Sequence, residues 1–274
     1  MAESKPAPVQ ASSNRQILGI ALVVCLVCSL VVATTAVTLK PLQTANQIEA
    51  RQQVLVELAG LTLPDGSIEA AYRRFDVVMV ELDSGEPRPD ISAENFDLKL
   101  AVRREGWSTP LARADDPANI RRRPIYLPVY QLRNRNGYLE TLILPVFGYG
   151  LWSTLYGFIA LKGDLRTITG IRFYEHGETP GLGGEVDNPD WLASWRGKVA
   201  FDENWQPRIE LVKGHMSGDD VLDHQYKVDG LSGATMTTRG INDLLKYWLG
   251  DTGFGPYLMR LRKQQDEGVN DETS

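Results

Sequence analysis

The stretch IYLPVYQLRNRNGYLETLILPV, Ile125–Val146, decides the fold. Two runs rich in aliphatic, β-branched and aromatic residues flank the pair Asn136–Gly137. Asn-Gly supplies the positive backbone torsions that a tight hairpin turn needs, so the two runs are expected to pair as antiparallel strands. Downstream, WSTLYGFIALKGDLRTITGIRFYEH (Trp152–His176) reads as two further strands turning at Gly163–Asp164. Upstream, FDVVMVELDSGE (Phe75–Glu86) reads as a strand that ends in a turn at Asp83, Ser84 and Gly85, and PRIELVKG (Pro207–Gly214) as one more strand. The sum is an α+β domain built on a mainly antiparallel sheet with packed helices.

Two segments read as helices. In INDLLKYWLG, Ile241, Leu244, Leu245, Trp248 and Leu249 recur at i, i+3, i+4, i+7 and i+8 and define one buried face, with Gly250 placed to end it. In PLQTANQIEARQQVLVELAGL (Pro41–Leu61), Leu42, Ala45, Ile48, Leu55 and Leu58 share a face, and Gly60 and Pro64 close the pattern. Between the first strand and the hairpin, residues 87–123 are polar and include Arg121, Arg122 and Arg123, a run that reads as a solvated loop or as a contact for an anionic partner.

Ahead of these lies ILGIALVVCLVCSLVVATTAVTL, Ile17–Leu39, which carries no charge. As a helix rising about 1.5 Å per residue it spans roughly 34 Å, enough for a hydrocarbon core of about 30 Å. The expected span is residues 16–39. Lys5 and Arg15 precede it and favour a cytoplasmic tail over residues 1–15, whereas Lys40 and Arg51 weigh against that orientation. A cleaved signal peptide is the rival reading, because Ala33 to Ala36 are small; the apolar run exceeds the usual ~7–15 residues of a signal core. Cys25 and Cys28 both fall in this segment and read as small apolar residues, ligation of a cluster with a partner protein being the alternative. The net charge of −6 excludes nucleic acid as a natural partner.

The residues just before the last helix ask for a different explanation. DGLSGATMTT places Ser232, Thr235, Thr237 and Thr238 around Gly233 at a helix entrance, where Thr237 or Thr238 alone suffices as the cap. Surplus hydroxyls beside free amides and the positive end of a helix dipole suit a phosphate, and an over-capped turn is the plainer alternative. EHGETPGLGGE (Glu175–Glu185) lacks the lysine of a phosphate-binding Walker loop; it reads as a tight loop with Leu182 at its tip, structural or walling a flat ligand. PVFGYGLWSTLYG (Pro145–Gly157) sets Tyr149, Trp152 and Tyr156 beside Gly148 and Gly150, which suits a ring-shaped ligand or a sheet core. His176, His215 and His224 show no metal-ligand spacing, and no acid–base pair stands out, so neither a metal nor a catalytic residue is expected.

Together these stretches resemble a known family. Asp229, Ser232, Gly233, Ala234 and Thr235 match the flavinylation signature of Asp, two variable residues, Ser or Thr, Gly, Ala and Thr. GETPGLGGEV and LPVFGYGLWSTLYGF resemble the other characteristic stretches of the C-subunits of the Na+-translocating NADH:quinone oxidoreductases; the G-subunits of the Rnf ferredoxin:NAD oxidoreductases share the general pattern. The resemblance is close over Leu139–Gly250 and loose over residues 62–123. It implies an electron carrier with one FMN per chain, joined through its phosphate to Thr235 by a flavin transferase that reads the segment containing Asp229. It also implies that Ser232, Gly233, Ala234, Met236 and Thr237 surround the phosphate, with Lys213 facing it or solvated. The flavin ring is expected between Glu178, Thr179, Gly181, Leu182 and Gly183 on one side and Leu151, Trp152 and Ser153 on the other. Membership further implies partner subunits, a bacterial inner-membrane location with the FMN domain on the periplasmic side, and no complete activity from this chain alone. The expected organisation is then a tail at 1–15, a span at 16–39, a membrane-proximal helix and α/β region at 40–123, an FMN-binding domain at 124–263 and a loose tail at 264–274. The alternatives are a G-subunit-like component of an Rnf ferredoxin:NAD oxidoreductase and, outside these families, a membrane-anchored assembly module without flavin.

Overall fold

The computed structural model describes residues 14–63, 66–94, 96–212 and 223–272, with side chains as far as 267. The chain forms two units, one up to Glu49 and one from Ala50 onward. The first is most of helix α1, Asn14–Leu58, a 45-residue element whose apolar part is exposed along its length and is long and apolar enough to cross a membrane. Two helices separated near residue 40 are expected from the sequence; one continuous helix is found, with Pro41 inside it. Proline there removes one backbone donor, and the turns on either side still bond.

The second unit is built on a six-stranded sheet. Strands β1 (Asp76–Glu81), β2 (Glu86–Pro87), β5 (Tyr126–Arg133), β6 (Leu139–Tyr149), β7 (Thr154–Lys162) and β8 (Ile168–Glu175) lie in the order β2-β1-β5-β6-β7-β8, every pair antiparallel. The hairpin forms as expected: Arg133 pairs with Leu139, and Gly137 takes a φ of 83° at the turn. Because β1 pairs with β5, residues on both sides of position 123 share this sheet.

Both faces of the sheet are covered, which explains why β5, β6 and β7 read as near-continuous apolar runs. Leu127, Val129, Leu142, Leu144 and Val146 face one core together with Ile241, Leu244, Leu245 and Trp248 of α5 (Thr235–Leu249) and Tyr257, Leu258 and Leu261 of α6 (Gly255–Glu272). Tyr130, Leu132, Ile143, Phe158 and Ala160 face a second core with Val54, Leu55 and Val56 at the end of α1, Phe75, and Ala71 of α2 (Ile68–Tyr72). Each such side chain fully buried contributes about 1.5–3 kcal/mol before entropy is counted.

Residues 87–123 hold α3 (Leu98–Arg103), N-capped by Asp97, and the paired strands β3 (Ser108–Pro110) and β4 (Arg122–Pro124). Three expectations are corrected. The arginine run is not solvated throughout. Arg122 donates to the carbonyls of Val102 and Ser108 and to the Ser108 hydroxyl, while Arg123 is buried, donating to the Thr252 carbonyl and pairing with Asp83. The residues from Gln264 onward are not loose to the end, because α6 continues to Glu272. The strand expected over 207–214 starts only at Glu210: β9 (Glu210–Val212) pairs in parallel with β10 (Lys227–Asp229), and residues 213 and 214 lie outside the described residues.

Candidate functional site

The site is assembled at the entrance of α5. Gly233 adopts φ +70° and turns the chain so that the Ala234 amide bonds the Leu231 carbonyl at 3.2 Å. The helix therefore begins at Thr235, two residues before the expected cap. Ala234 is the N-cap and offers no side-chain acceptor. A first helical turn without a cap presents amides that have no intrahelical partner, at the positive end of the dipole.

The hydroxyls expected to cap the helix are used elsewhere. Thr238 Oγ1 accepts from the Leu231 amide at 3.1 Å, closing the signature loop on itself. Thr237 Oγ1 donates to Glu178 Oε2 at 2.6 Å. Ser232, Gly233, Thr235 and Met236 remain exposed, and Thr235 stands at the first helical position.

A small support holds this turn. The Gly230 amide bonds the Val212 carbonyl at 2.8 Å, extending the β9–β10 pair into the loop. Asn242, two turns into α5, donates to the Leu211 carbonyl and accepts from the Leu211 amide, at 2.9 and 2.7 Å. Trp191 Nε1 donates to the carbonyl of Asp229 at 2.9 Å. The loop that carries Thr235 is thus fixed from both flanks.

Glu178 ties the three predicted segments together. Its Oε1 accepts from the amides of Leu151, Trp152 and Ser153 at 3.1, 3.0 and 3.2 Å. Three successive amides converging on one acceptor form an anion nest. Two glycines make the approach possible. A Cβ at Gly150 would sit 2.7 Å from Glu178 Oε1, and one at Gly183 would sit 2.7 Å from Oε2 and 2.5 Å from Thr237 Oγ1. Gly240 matters in the same way, since a Cβ there would meet the Tyr149 carbonyl at 2.4 Å and push α5 off β6. Burial opposes ionisation of Glu178, but the Thr237 hydroxyl and the amides of Trp152, Ser153 and Leu151 outweigh it and hold the carboxyl below its ordinary range. Beside it, Ser153 Oγ accepts from the Gly177 amide at 2.6 Å, and His176 contacts Asp187 through Nε2 at 2.9 Å. That bond to Asp187 raises the His176 pKa against the opposing effect of burial.

The outer surface of this assembly is apolar. Leu151, Trp152, Leu182 and Met236 are 41%, 66%, 44% and 49% exposed. Leu182 meets the signature loop directly, with its Cδ2 3.0 Å from where a Gly233 Cβ would lie. Thr179 and Gly181 are exposed in the same loop, whose backbone turns through Gly181 at φ +77° and bonds the Thr179 carbonyl to the amides of Leu182 and Gly184. Hydrogen bonds thus link Leu151, Trp152, Ser153, Glu178 and Thr237, while Gly183, Leu182 and Gly233 pack against the same junction. Lys213 and His215 lie outside the described residues. Gly240 and the bond between Thr237 and Glu178 escaped sequence reasoning; a glycine inside an otherwise strong amphipathic helix was the available signal for the first. A cavity of about 250 Å³ lies apart from the site, between Glu57, Thr169, Arg172 and Arg196. Among the described residues no cluster of His, Cys, Asp or Glu is arranged to hold a metal ion.

A family model described as FMN-binding domain matches residues 150–250. The C-subunit of the Na(+)-translocating NADH-quinone reductase of Pseudomonas aeruginosa is 46% identical over 258 residues, which cover 93% of this chain and 98% of that protein. The corresponding C-subunit of Yersinia pestis is 40% identical over 267 residues, covering 96% and 98%. Among solved structures, Shewanella oneidensis NqrC superposes with a TM-score of 0.72 at 32% identity, covering 80% of this chain and 99% of that one.

Proposed function

Because the chain belongs to the family of C-subunits of the Na(+)-translocating NADH-quinone reductases, we propose that it is an electron-relay protein whose FMN is esterified through its phosphate to Thr235. The observation that carries this reading is an exposed threonine at the first position of an uncapped helix, with exposed Met236 next to it and exposed Leu182 packed on the same loop at Gly233. Leu151, Trp152, Leu182 and Met236, all exposed on segments joined through Glu178 and Thr237, offer an apolar surface of the kind that a ligand covers.

The residues fit the cofactor. A phosphate on Thr235 Oγ1 meets the free amides of the first helical turn, an arrangement that binds phosphates in unrelated folds. Gly233 keeps side-chain bulk away from that phosphate, and Leu151, Trp152, Leu182 and Met236 offer a surface for a flat ring. Bound FMN supplies the redox chemistry; the chain supplies position and electrostatics. For attachment, the Thr235 hydroxyl oxygen bonds to the FMN phosphorus of FAD while the pyrophosphate bond breaks, releasing AMP and a proton. A flavin transferase that reads the segment around Asp229 would catalyse this step. Lys213 serves as a candidate counter-charge for the phosphate.

In the assembled complex this chain would pass electrons on the route from NADH to quinone, with sodium export belonging to the whole complex. The apolar helix anchors it in the bacterial inner membrane, and Lys5 and Arg15 support a cytoplasmic amino terminus with the FMN unit on the periplasmic side. Acid-precipitated protein from a host that contains the transferase, run on a denaturing gel under ultraviolet light, tests the reading. The wild-type band fluoresces and Thr235→Val is dark; a dark wild-type band refutes the attachment.

A further inference from the structure

Glu178 is 5% exposed as a residue, and its carboxylate accepts from backbone amides and one hydroxyl. No lysine or arginine among the described residues bonds it. The nest disperses the charge over backbone dipoles. His176 stands beside it, with Nδ1 3.3 Å from the Glu178 amide and Nε2 on Asp187. The carboxylate also lies directly behind the exposed surface described above. The amides it binds belong to Leu151 and Trp152, and the hydroxyl belongs to Thr237, two residues from Thr235.

We infer that Glu178 is a positioning residue whose buried, amide-held negative charge makes the flavin at this site harder to reduce. The inference rests on the FMN reading. Its physical basis is that adding electrons to a ring near a fixed anion in a water-poor setting is opposed by Coulomb repulsion, which is screened little there. The same carboxylate clasps the 151–153 turn to the first turn of α5, so the charge and the shape of the surface come from one group.

The test uses the full-length chain in detergent, made in a host with the transferase. Intact mass reads FMN loading, and a spectroelectrochemical titration reads the midpoint potential. Glu178→Gln keeps the shape and one acceptor oxygen while removing the charge; loading as in wild type and a midpoint shifted to more positive potential are expected. Asp187→Asn neutralises a neighbouring carboxylate that is 56% exposed and is expected to leave the midpoint at the wild-type value. An unmoved midpoint in Glu178→Gln, or an equal shift in Asp187→Asn, overturns the proposal. Thr237→Val keeps the charge and strips the hydroxyl that disperses it, so its midpoint is expected to move negative; a positive shift overturns the proposal even if Glu178→Gln does not fold. In the unloaded chain, the amides of Leu151–Ser153 are expected to resist hydrogen exchange and to lose that protection in Glu178→Ala, and unchanged protection removes the clasp. A wild-type chain without FMN defeats the functional reading, whereas a loaded wild type with no shift in Glu178→Gln defeats only this inference.

Discussion

Thr237 Oγ1 donates a 2.6 Å hydrogen bond to Glu178 Oε2, joining the first turn of α5 to a loop 59 residues earlier in the chain. That bond explains why a helix entrance with several hydroxyls has no side-chain cap. Thr237 and Thr238 hold the surroundings in place, and Thr235 is left exposed.

Thr235 should separate attachment from folding. Its side chain is exposed at the first helical position, so Thr235→Val is expected to change stability by no more than about 0.5 kcal/mol. It should abolish denaturation-resistant yellow colour completely. Urea unfolding followed by circular dichroism, alongside the gel assay, checks both halves.

Gly183 should tolerate no side chain. A methyl group there meets Thr237 Oγ1 and Glu178 Oε2 inside contact distance. Overpacking of this kind costs about 1–3 kcal/mol. Gly183→Ala is expected to lower the denaturant midpoint and to slow flavin attachment, both measurable on the same preparation.

Asn242 should matter more than a surface amide normally does. Its side chain satisfies both backbone groups of Leu211 beneath the signature loop. Asn242→Ala leaves those groups without partners, at a cost of about 1–3 kcal/mol. Hydrogen exchange at the Leu211 amide is expected to rise well above wild type, with the exchange of the outer sheet strands unchanged.

Two titrations of opposite sign should be visible in stability. The Glu178 carboxyl is held below its ordinary 4.5, so its contribution is complete above about that pH and is lost as pH falls through the folded value. The stability gap between wild type and Glu178→Gln should therefore be flat at neutral pH and should shrink in acid. His176 is raised above its ordinary 6.5 by Asp187, so its contribution is complete below that pH and fades as pH rises through the folded value. The gap between wild type and His176→Gln should be largest near pH 6 and smaller at pH 9, in denaturant titrations at each pH.

Much of the fold was legible because its signals are local. Asn136–Gly137 announced the hairpin, and the spacing of Ile241, Leu244, Leu245, Trp248 and Leu249 announced α5. Thr235 drew attention in the sequence because hydroxyls and small residues cluster at one helix entrance; the structure uses Thr237 and Thr238 to hold the loop and leaves Thr235 exposed. What stayed hidden depends on contacts distant in sequence. Arg122 and Arg123 look like solvated charges until β3 and the Thr252 carbonyl are brought to them. Pro41 looks like a boundary, yet α1 runs through it. The early start of α5 depends on the positive φ of Gly233, which pattern alone does not reveal. The burial of Tyr257, Leu258 and Leu261 in α6 becomes meaningful only once the sheet face they cover exists.

The most direct measurement is the intact mass of the full-length chain from a host containing the transferase, followed by peptide mapping. The account predicts the polypeptide mass plus one FMN esterified with loss of water, located on the peptide that contains Thr235. A mass equal to the polypeptide alone, or a flavin mapped to another residue, contradicts it.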